Sequence, residues 1–254
     1  MVKYIFVLSI FTLTIIINAK DMNTWKTKSG YTILQIMSGR SNVFLIENGE
    51  MYFLIDTSTK ANWKKLDCTL KSIGISKIDY LILTHTHHDH VANAKKVKDE
   101  YNASVIVHQN EAVHLIKGEA VLPQGTNIFT RTLINLLGKR IEHQFNFEPC
   151  SYDITVDSIC NLKSLGLNAY ILHTPGHSTG SMSLVVDDEI AIVGDAMFGV
   201  FKKSVFPPYA DDSKELINSW ERLLSTNCKL FLPAHGSAKN RKQLKQNFNR
   251  KMNI

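Results

Sequence analysis

Repetition, cysteine and long apolar runs are all scarce in this chain. No segment of its 254 residues repeats and none is of low complexity, which excludes a solenoid or repeat array. Cysteine occurs only as Cys68, Cys150, Cys160 and Cys228, without the paired spacing of a structural zinc knuckle. Cys150 and Cys160 lie close enough in sequence to pair across a loop in an exported protein; four separate buried thiols are the alternative. The one long apolar run, residues 4–17, falls short of the ~20 residues that a membrane-spanning helix needs. Acidic residues are missing from residues 239–254, where Lys239, Arg241, Lys242, Lys245, Arg250 and Lys251 stand. A basic face of this kind on a terminal helix is ordinarily solvated.

What remains is a chain of ordinary globular composition, 44% hydrophobic and 20% charged, long enough for one large domain with a substantial core. Residues 1–19 stand apart. Lys3 precedes the apolar run and Ala19 offers a small residue at a cleavage point, the pattern of a secretory signal peptide, with an uncleaved membrane anchor as the alternative. The folded domain is expected over residues 20–254 of an exported protein, periplasmic or secreted. Residues 31–37, 42–47 and 51–56 read as successive strands, the last two joined through Asn48-Gly49, a strong hairpin signal. Residues 60–73 read as a helix, and residues 104–107, 169–173 and 229–232 as further strands. Residues 182–186 and 189–193 form a hairpin through Asp187-Asp188, and a helix capped by Ser213 runs to about residue 225. Residues 109–152 are the least regular: residues 129–137 carry helical spacing ended by Gly138. An insertion of this length is expected to be a lid that sets specificity, or an outer helix packed on the core.

The chemistry concentrates in Thr84-His85-Thr86-His87-His88-Asp89-His90. This stretch follows the apolar, strand-like residues 79–83 and precedes a helix expected over residues 91–100. His85 and His87 alternate as strand residues do, so both can point one way, while Asp89 and His90 turn toward a neighbouring point. Imidazole and carboxylate are ordinary ligands of a hydrolytic zinc ion, and two adjacent points suggest two metals. A solvated histidine-rich run is the alternative. His108, His114 and His173 fit no ligand spacing and are expected to be surface or structural residues.

The stretch resembles the HxHxDH signature of the metallo-β-lactamase superfamily. That family completes its site with three distant residues, and here His177, in Pro175-Gly176-His177-Ser178, Asp195, in Gly194-Asp195-Ala196, and His235, in Pro233-Ala234-His235-Gly236, stand in family order. The resemblance implies an α/β fold, a four-layer αββα sandwich in a single domain, with the site along a sheet edge. It implies one metal on His85, His87 and His177, a second on Asp89, His90 and His235, Asp195 bridging the two, and a hydroxide between the ions as nucleophile. It also implies that Asp89 is the catalytic carboxylate that steers the proton, and that Asp56 orients a ligand histidine from behind, an ordinary cap or turn being the alternative for Asp56. The cofactors are then two divalent metal ions, zinc by default, with iron or manganese as alternatives. The partner is a small-molecule substrate rather than nucleic acid, and membrane contact is expected only through an uncleaved N-terminal segment.

Departures from the family's patterns narrow the class. Dizinc β-lactamases place cysteine or serine in the region of Asp195, and lactonases of this fold carry tyrosine where Phe198 stands. Gly194-Asp195-Ala196-Met197-Phe198 is closer to the hydroxyacylglutathione hydrolases, but those add a helical domain after the last histidine, and 18 residues follow Gly236 here. The expected function is an exported, metal-dependent hydrolase of an ester, thioester or lactone-type bond. A β-lactam hydrolase, or a nuclease or phosphodiesterase of the same fold, is the alternative. A net charge of +6 and a pI near 9.0 favour the nuclease; export argues against it. A two-iron oxidoreductase would carry glutamate at the position of His87, and a binding protein on a retired enzyme fold would tend to have lost ligands.

Overall fold

The computed structural model describes residues 22–49 and 51–252, so the expected signal peptide lies outside the described residues. One sheet runs in the order β1 (Thr24–Lys26), β2 (Thr32–Met37), β3 (Val43–Asn48), β4 (Met51–Ile55), β5 (Tyr80–Ile82), β6 (Ser104–His108) and β7 (Ile154–Val156). Its first four strands are antiparallel neighbours, and β4 to β7 are parallel. The other sheet comprises β8 (Ile159–Asn161), β9 (Ala169–His173), β10 (Met182–Val186), β11 (Ile190–Gly194), β12 (Leu230–Pro233) and β13 (Lys239–Asn240), in spatial order β13-β12-β11-β10-β9-β8. Helices α1 (Trp63–Ser72), α2 (His88–Val91), α3 (Ala94–Tyr101), α4 (Gln109–Lys117), α5 (Ile128–Ile141), α6 (Ser213–Ser225) and α7 (Arg241–Met252) complete the chain.

Strand alternation sorts the apolar side chains into three layers. Along β3, Val43 and Leu45 face outward onto Leu66 and Leu70 of α1, while Phe44 and Ile46 face inward onto Leu184 and Ile192 of the second sheet. On that sheet's far side, Ala191 and Val193 pack against Leu216, Trp220 and Leu223 of α6. The result is a four-layer αββα sandwich in one domain. Both hairpin signals are realised: Gly49 takes φ +60°, and Asp187 and Asp188 take +54° and +53°, the left-handed conformations that a two-residue turn matching strand twist requires.

Several local expectations are corrected. The helix expected over residues 91–100 is broken between α2 and α3, because buried Asn93 turns its side chain to the carbonyls of Thr57 and Thr59 (2.8 and 2.9 Å). The cap of α6 is Asp212 rather than Ser213: its Oδ1 accepts from the amides of Lys214 and Glu215 at 2.8 and 3.0 Å. Gly138 does not end its helix. A glycine cap needs positive φ, which Gly138 lacks, and α5 continues to Ile141. The basic tail is not wholly solvated: Lys239 is 4% exposed with Nζ on the Phe201 carbonyl, and Arg241 ties down the carbonyls of Leu224, Thr226 and Cys228. All four cysteines are free thiols, Cys150 and Cys160 among them. His108, His114 and His173 stay outside the metal-ligand groupings. His108 donates to the Asp157 carbonyl and stacks on His173, ring centroids 4.1 Å apart.

Candidate metal centre

The site gathers at one edge of the sandwich, where chain leaves strand ends. Asp56 follows β4, the His85–His90 loop follows β5, His177 follows β9, Asp195 follows β11 and His235 follows β12. A bond from the Met182 amide to the Thr84 carbonyl (2.9 Å) ties the histidine-rich loop of one sheet to the other sheet. Two glycines permit the close approaches. Gly176 has φ +120°, and a Cβ there would meet the Leu216 amide nitrogen at 2.2 Å, so the His177 loop can lie directly on α6. Gly194 has φ +51°, and its Cβ would lie 2.8 Å from the Thr84 side chain, which brings Asp195 against the histidine loop.

All seven residues expected as ligands come together. Their ligand atoms fall into three groups, each within 4.8 Å: His85, His87 and His177; His85, His90 and Asp195; Asp89, His90 and His235. Asp195 sits at the junction. Its Oδ2 is 3.4 Å from His177 Nε2 and 3.3 Å from His235 Nε2, and its Oδ1 is 3.7 Å from His90 Nε2. Asp89 Oδ2 lies 3.4 Å from His235 Nε2.

The ring nitrogens facing away from the cluster are already engaged, which decides what the facing ones can do. Asp56, in a left-handed conformation (φ +62°) and 1% exposed, accepts from the Thr84 amide, the Thr84 hydroxyl and His90 Nδ1, each at 2.8 Å. With the Thr84 proton directed to Asp56, its oxygen accepts from His85 Nδ1 (3.1 Å). His177 Nδ1 donates to the Tyr209 carbonyl (2.9 Å), in the loop that contains Pro207 and Pro208. In the neutral form of these three rings the Nε2 lone pair is therefore the one that faces the cluster. His85 Nε2, His90 Nε2 and Asp195 Oδ1 are buried without any hydrogen-bond partner. An orphaned buried polar atom costs about 1–3 kcal/mol, so three converging here fit a centre that holds divalent cations. The donor set, nitrogen and carboxylate oxygen, suits zinc, iron or manganese alike.

Burial, then the neighbouring histidines, pushes His85 and His87 well below the ordinary imidazole range, which keeps their lone pairs free for a metal. His90 goes the other way: burial opposes its charge, but Asp89, Asp195 and Asp56 together lift it to about 10. His235 is raised too, against burial, mainly by Asp195. Asp195 is held far below the usual carboxylate range; burial would raise it, and His235, His177 and His90 outweigh burial. With its value near 10, His90 is protonated at neutral pH in the metal-free protein and must shed that proton to ligate. The metal-free protein should therefore release protons on taking up zinc at pH 7, with affinity rising as pH rises toward the His90 value. Metal uptake without proton release, followed with an indicator in weak buffer, would contradict this.

Two supporting residues carry no signature in the sequence. Asn42 donates through Nδ2 to the carbonyls of Pro233 and Gly236 (2.8 and 2.9 Å), so it brackets His235. Glu111, on α4, is 3% exposed and accepts from the loops of both His87 and His177. Each is one polar residue in an ordinary-looking segment, and nothing but the fold brings it to the site. Aromatic residues form the rim: Phe198 packs on His235 (5.0 Å between centroids), Phe201 on Phe198 (5.9 Å), and Phe145 on His88 (4.3 Å).

Comparison with known proteins agrees with this geometry. The sequence profile of the metallo-beta-lactamase superfamily matches residues 38–235, and the chain belongs to that superfamily as a metal-dependent hydrolase. It is 31% identical over 199 residues to the probable metallo-hydrolase MJ0888 of Methanocaldococcus jannaschii, covering 77% of this chain and 87% of that one. The atrochrysone carboxyl ACP thioesterase of Aspergillus fumigatus is 24% identical over 199 residues; the match covers 78% of this chain and about half (51%) of that protein. Among solved structures, the archaeal superfamily protein ST1585 from Sulfolobus tokodaii superposes with a TM-score of 0.60 at 20% identity, covering 88% of this chain and 86% of its own.

Proposed function

We propose that the chain hydrolyses an ester, thioester or lactone-type bond of a small substrate with an apolar group next to that bond. The observation that carries this reading is a carboxylate, Asp195, at the junction of the histidine groups, where its Oδ1, His85 Nε2 and His90 Nε2 are buried without a partner. His85, His87 and His177 would hold one divalent ion, and Asp89, His90 and His235 the other, with Asp195 reaching both. Such ions supply an activated water near neutral pH and polarise the carbonyl.

The remaining roles belong to the chain's own side chains. Asp89 is the more open of the two site carboxylates, its side chain 21% exposed against 9% for Asp195. It is placed to hold a proton at Oδ2 and pass it to the leaving group. Phe198 and Phe201 on one side, and Phe145 on the other, exclude water and give an acyl chain or ring an apolar surface. The insertion acts as the specificity element. Its residues bond to the loop that holds His177, with the Ala210 amide on the Gln124 carbonyl (2.8 Å) and the Thr126 amide on the Pro208 carbonyl (3.0 Å). Ile128 and Phe129 stand exposed at the start of α5. The thioesterase relative supports this bond class. Export, resting on the pattern of residues 1–19, belongs to the same reading.

One preparation tests these points. Elemental analysis should give close to two divalent metals per chain, and Asp195→Ala should lower that number. A panel of thioesters, lactones, simple esters, β-lactams and phosphodiesters should show turnover confined to the first three, rising with the apolar character of the acyl group. The mature N-terminus should fall near Lys20. Turnover of β-lactams or phosphodiesters alone would replace the proposal with the corresponding alternative.

A further inference from the structure

Glu111 is a buried carboxylate for which the metal reading has no use as a ligand. Its contacts are unusually specific. Oε2 accepts from the Thr86 amide (3.1 Å) and the Thr86 hydroxyl, while Oε1 accepts from the Ser178 hydroxyl (2.7 Å) and the Gly180 amide (3.0 Å). Thr86 is the residue between His85 and His87, and Ser178 follows His177. One side chain therefore joins the two loops that carry the three-histidine group, loops about 90 residues apart in sequence. Space around it is closed: a Cβ at Gly180 would meet Glu111 Cγ at 2.5 Å and His108 Nδ1 at 3.0 Å.

The second ligand group is braced by different residues. Asp56 holds His90, the Ser41 hydroxyl donates to the Asp89 carbonyl, and Asn42 brackets His235. Within the three-histidine group, His87 Nδ1 and His177 Nε2 face each other at 2.8 Å across the gap that Glu111 spans from behind.

We infer that Glu111 is a positioning residue that sets the spacing of His87 and His177, and so selectively sets the affinity of the three-histidine metal position. This rests on the reading that the cluster holds two metals. A carboxylate can accept on both oxygens; the amide of glutamine offers one oxygen and one NH2. In Glu111→Gln, whichever way the amide is turned, a fixed backbone N–H of Thr86 or Gly180 faces another donor. One of the two loops is then released without loss of volume.

The test is chelator-competition titration of the metal-free protein with zinc, resolving the two binding steps. Glu111→Gln should weaken one step by about tenfold or more and leave the other within about twofold, the size of effect known for residues that brace metal ligands. The weakened step should be the one that His87→Ala abolishes, not the one that His235→Ala abolishes. Ser178→Ala, which removes one of the four donors to Glu111 along with the Ser181 hydroxyl contact, should shift the same step by less. It also carries the test if Glu111→Gln does not fold, as judged by thermal unfolding without metal. Equal weakening of both steps, or no change in either, overturns the role of Glu111 while the metal reading stands. A wild-type protein that takes up no zinc overturns both.

Discussion

Hydrolysis of the best substrate of the panel should fall by about 100-fold or more when a chelator strips the protein, and return when zinc is added back. The His85→Ala, His87→Ala double variant should be equally slow and should not respond to zinc. The physical ground is that the nitrogens these two rings turn into the cluster have no partner outside it. His85 Nε2 is buried without a partner, His87 faces only another histidine, and burial keeps both rings neutral. A distant exposed substitution such as Lys242→Ala should leave the rate unchanged. Lys239, which the sequence alone would nominate as an exposed control, is unsuitable because it is buried on the Phe201 carbonyl. Equal rates for wild type and double variant would show that the histidine cluster does not carry the reaction.

The largest stability effect is expected at Asp56. Asp56→Ala leaves three buried donors without an acceptor: the Thr84 amide, the Thr84 hydroxyl and His90 Nδ1. At about 1–3 kcal/mol for each unsatisfied group, the loss should be about 3 kcal/mol or more. For a domain of this size, that corresponds to a fall in Tm of roughly 6–12 °C, measurable by calorimetry on the metal-free protein. Metal affinity should fall as well, by about 10–100-fold, because His90 loses its orienting partner directly and His85 loses it through Thr84. Asp56→Asn keeps the shape and one acceptor oxygen, so it should fall between wild type and alanine in both measurements. A wild-type Tm for Asp56→Ala would mean that water satisfies the three donors and that the carboxylate is not a structural hub.

The sequence announces its ligands because they obey local rules. Two histidines one residue apart at a strand end, with an aspartate and a further histidine just beyond, need no knowledge of the rest of the chain. The strands follow for the same reason. Alternation along residues 42–47 and turn chemistry at Asn48-Gly49 and Asp187-Asp188 act over a few residues, and the structure places β3, β4, β10 and β11 within a residue or two of the expected ranges.

Where the structure departs from local sequence preference, a contact from far along the chain overrides it. Asn93 would sit acceptably in a helix, yet it breaks one because Thr57 and Thr59, more than 30 residues earlier, offer their carbonyls. Lys239 and Arg241 look like solvated charges until β13 and α7 bring them against free carbonyls of distant segments. Gly138 reads as a stop signal only while nothing fixes its backbone.

By itself, then, the sequence determined the strands written in alternation and turn residues and the histidine-rich loop written in spacing, while the αββα class and the ligand roles of His177, Asp195 and His235 came through the family resemblance that its motifs carry. The tertiary structure alone decided which buried groups brace those ligands, Asn42 behind His235 and Glu111 between the His87 and His177 loops, and which phenylalanines line the rim. A hydrogen bond between residues 67 or 69 positions apart, as from the Ser178 hydroxyl and the Gly180 amide to Glu111, leaves no periodic trace. It exists because two sheets, each folded by its own local pattern, pack face to face and bring their loop ends to one edge.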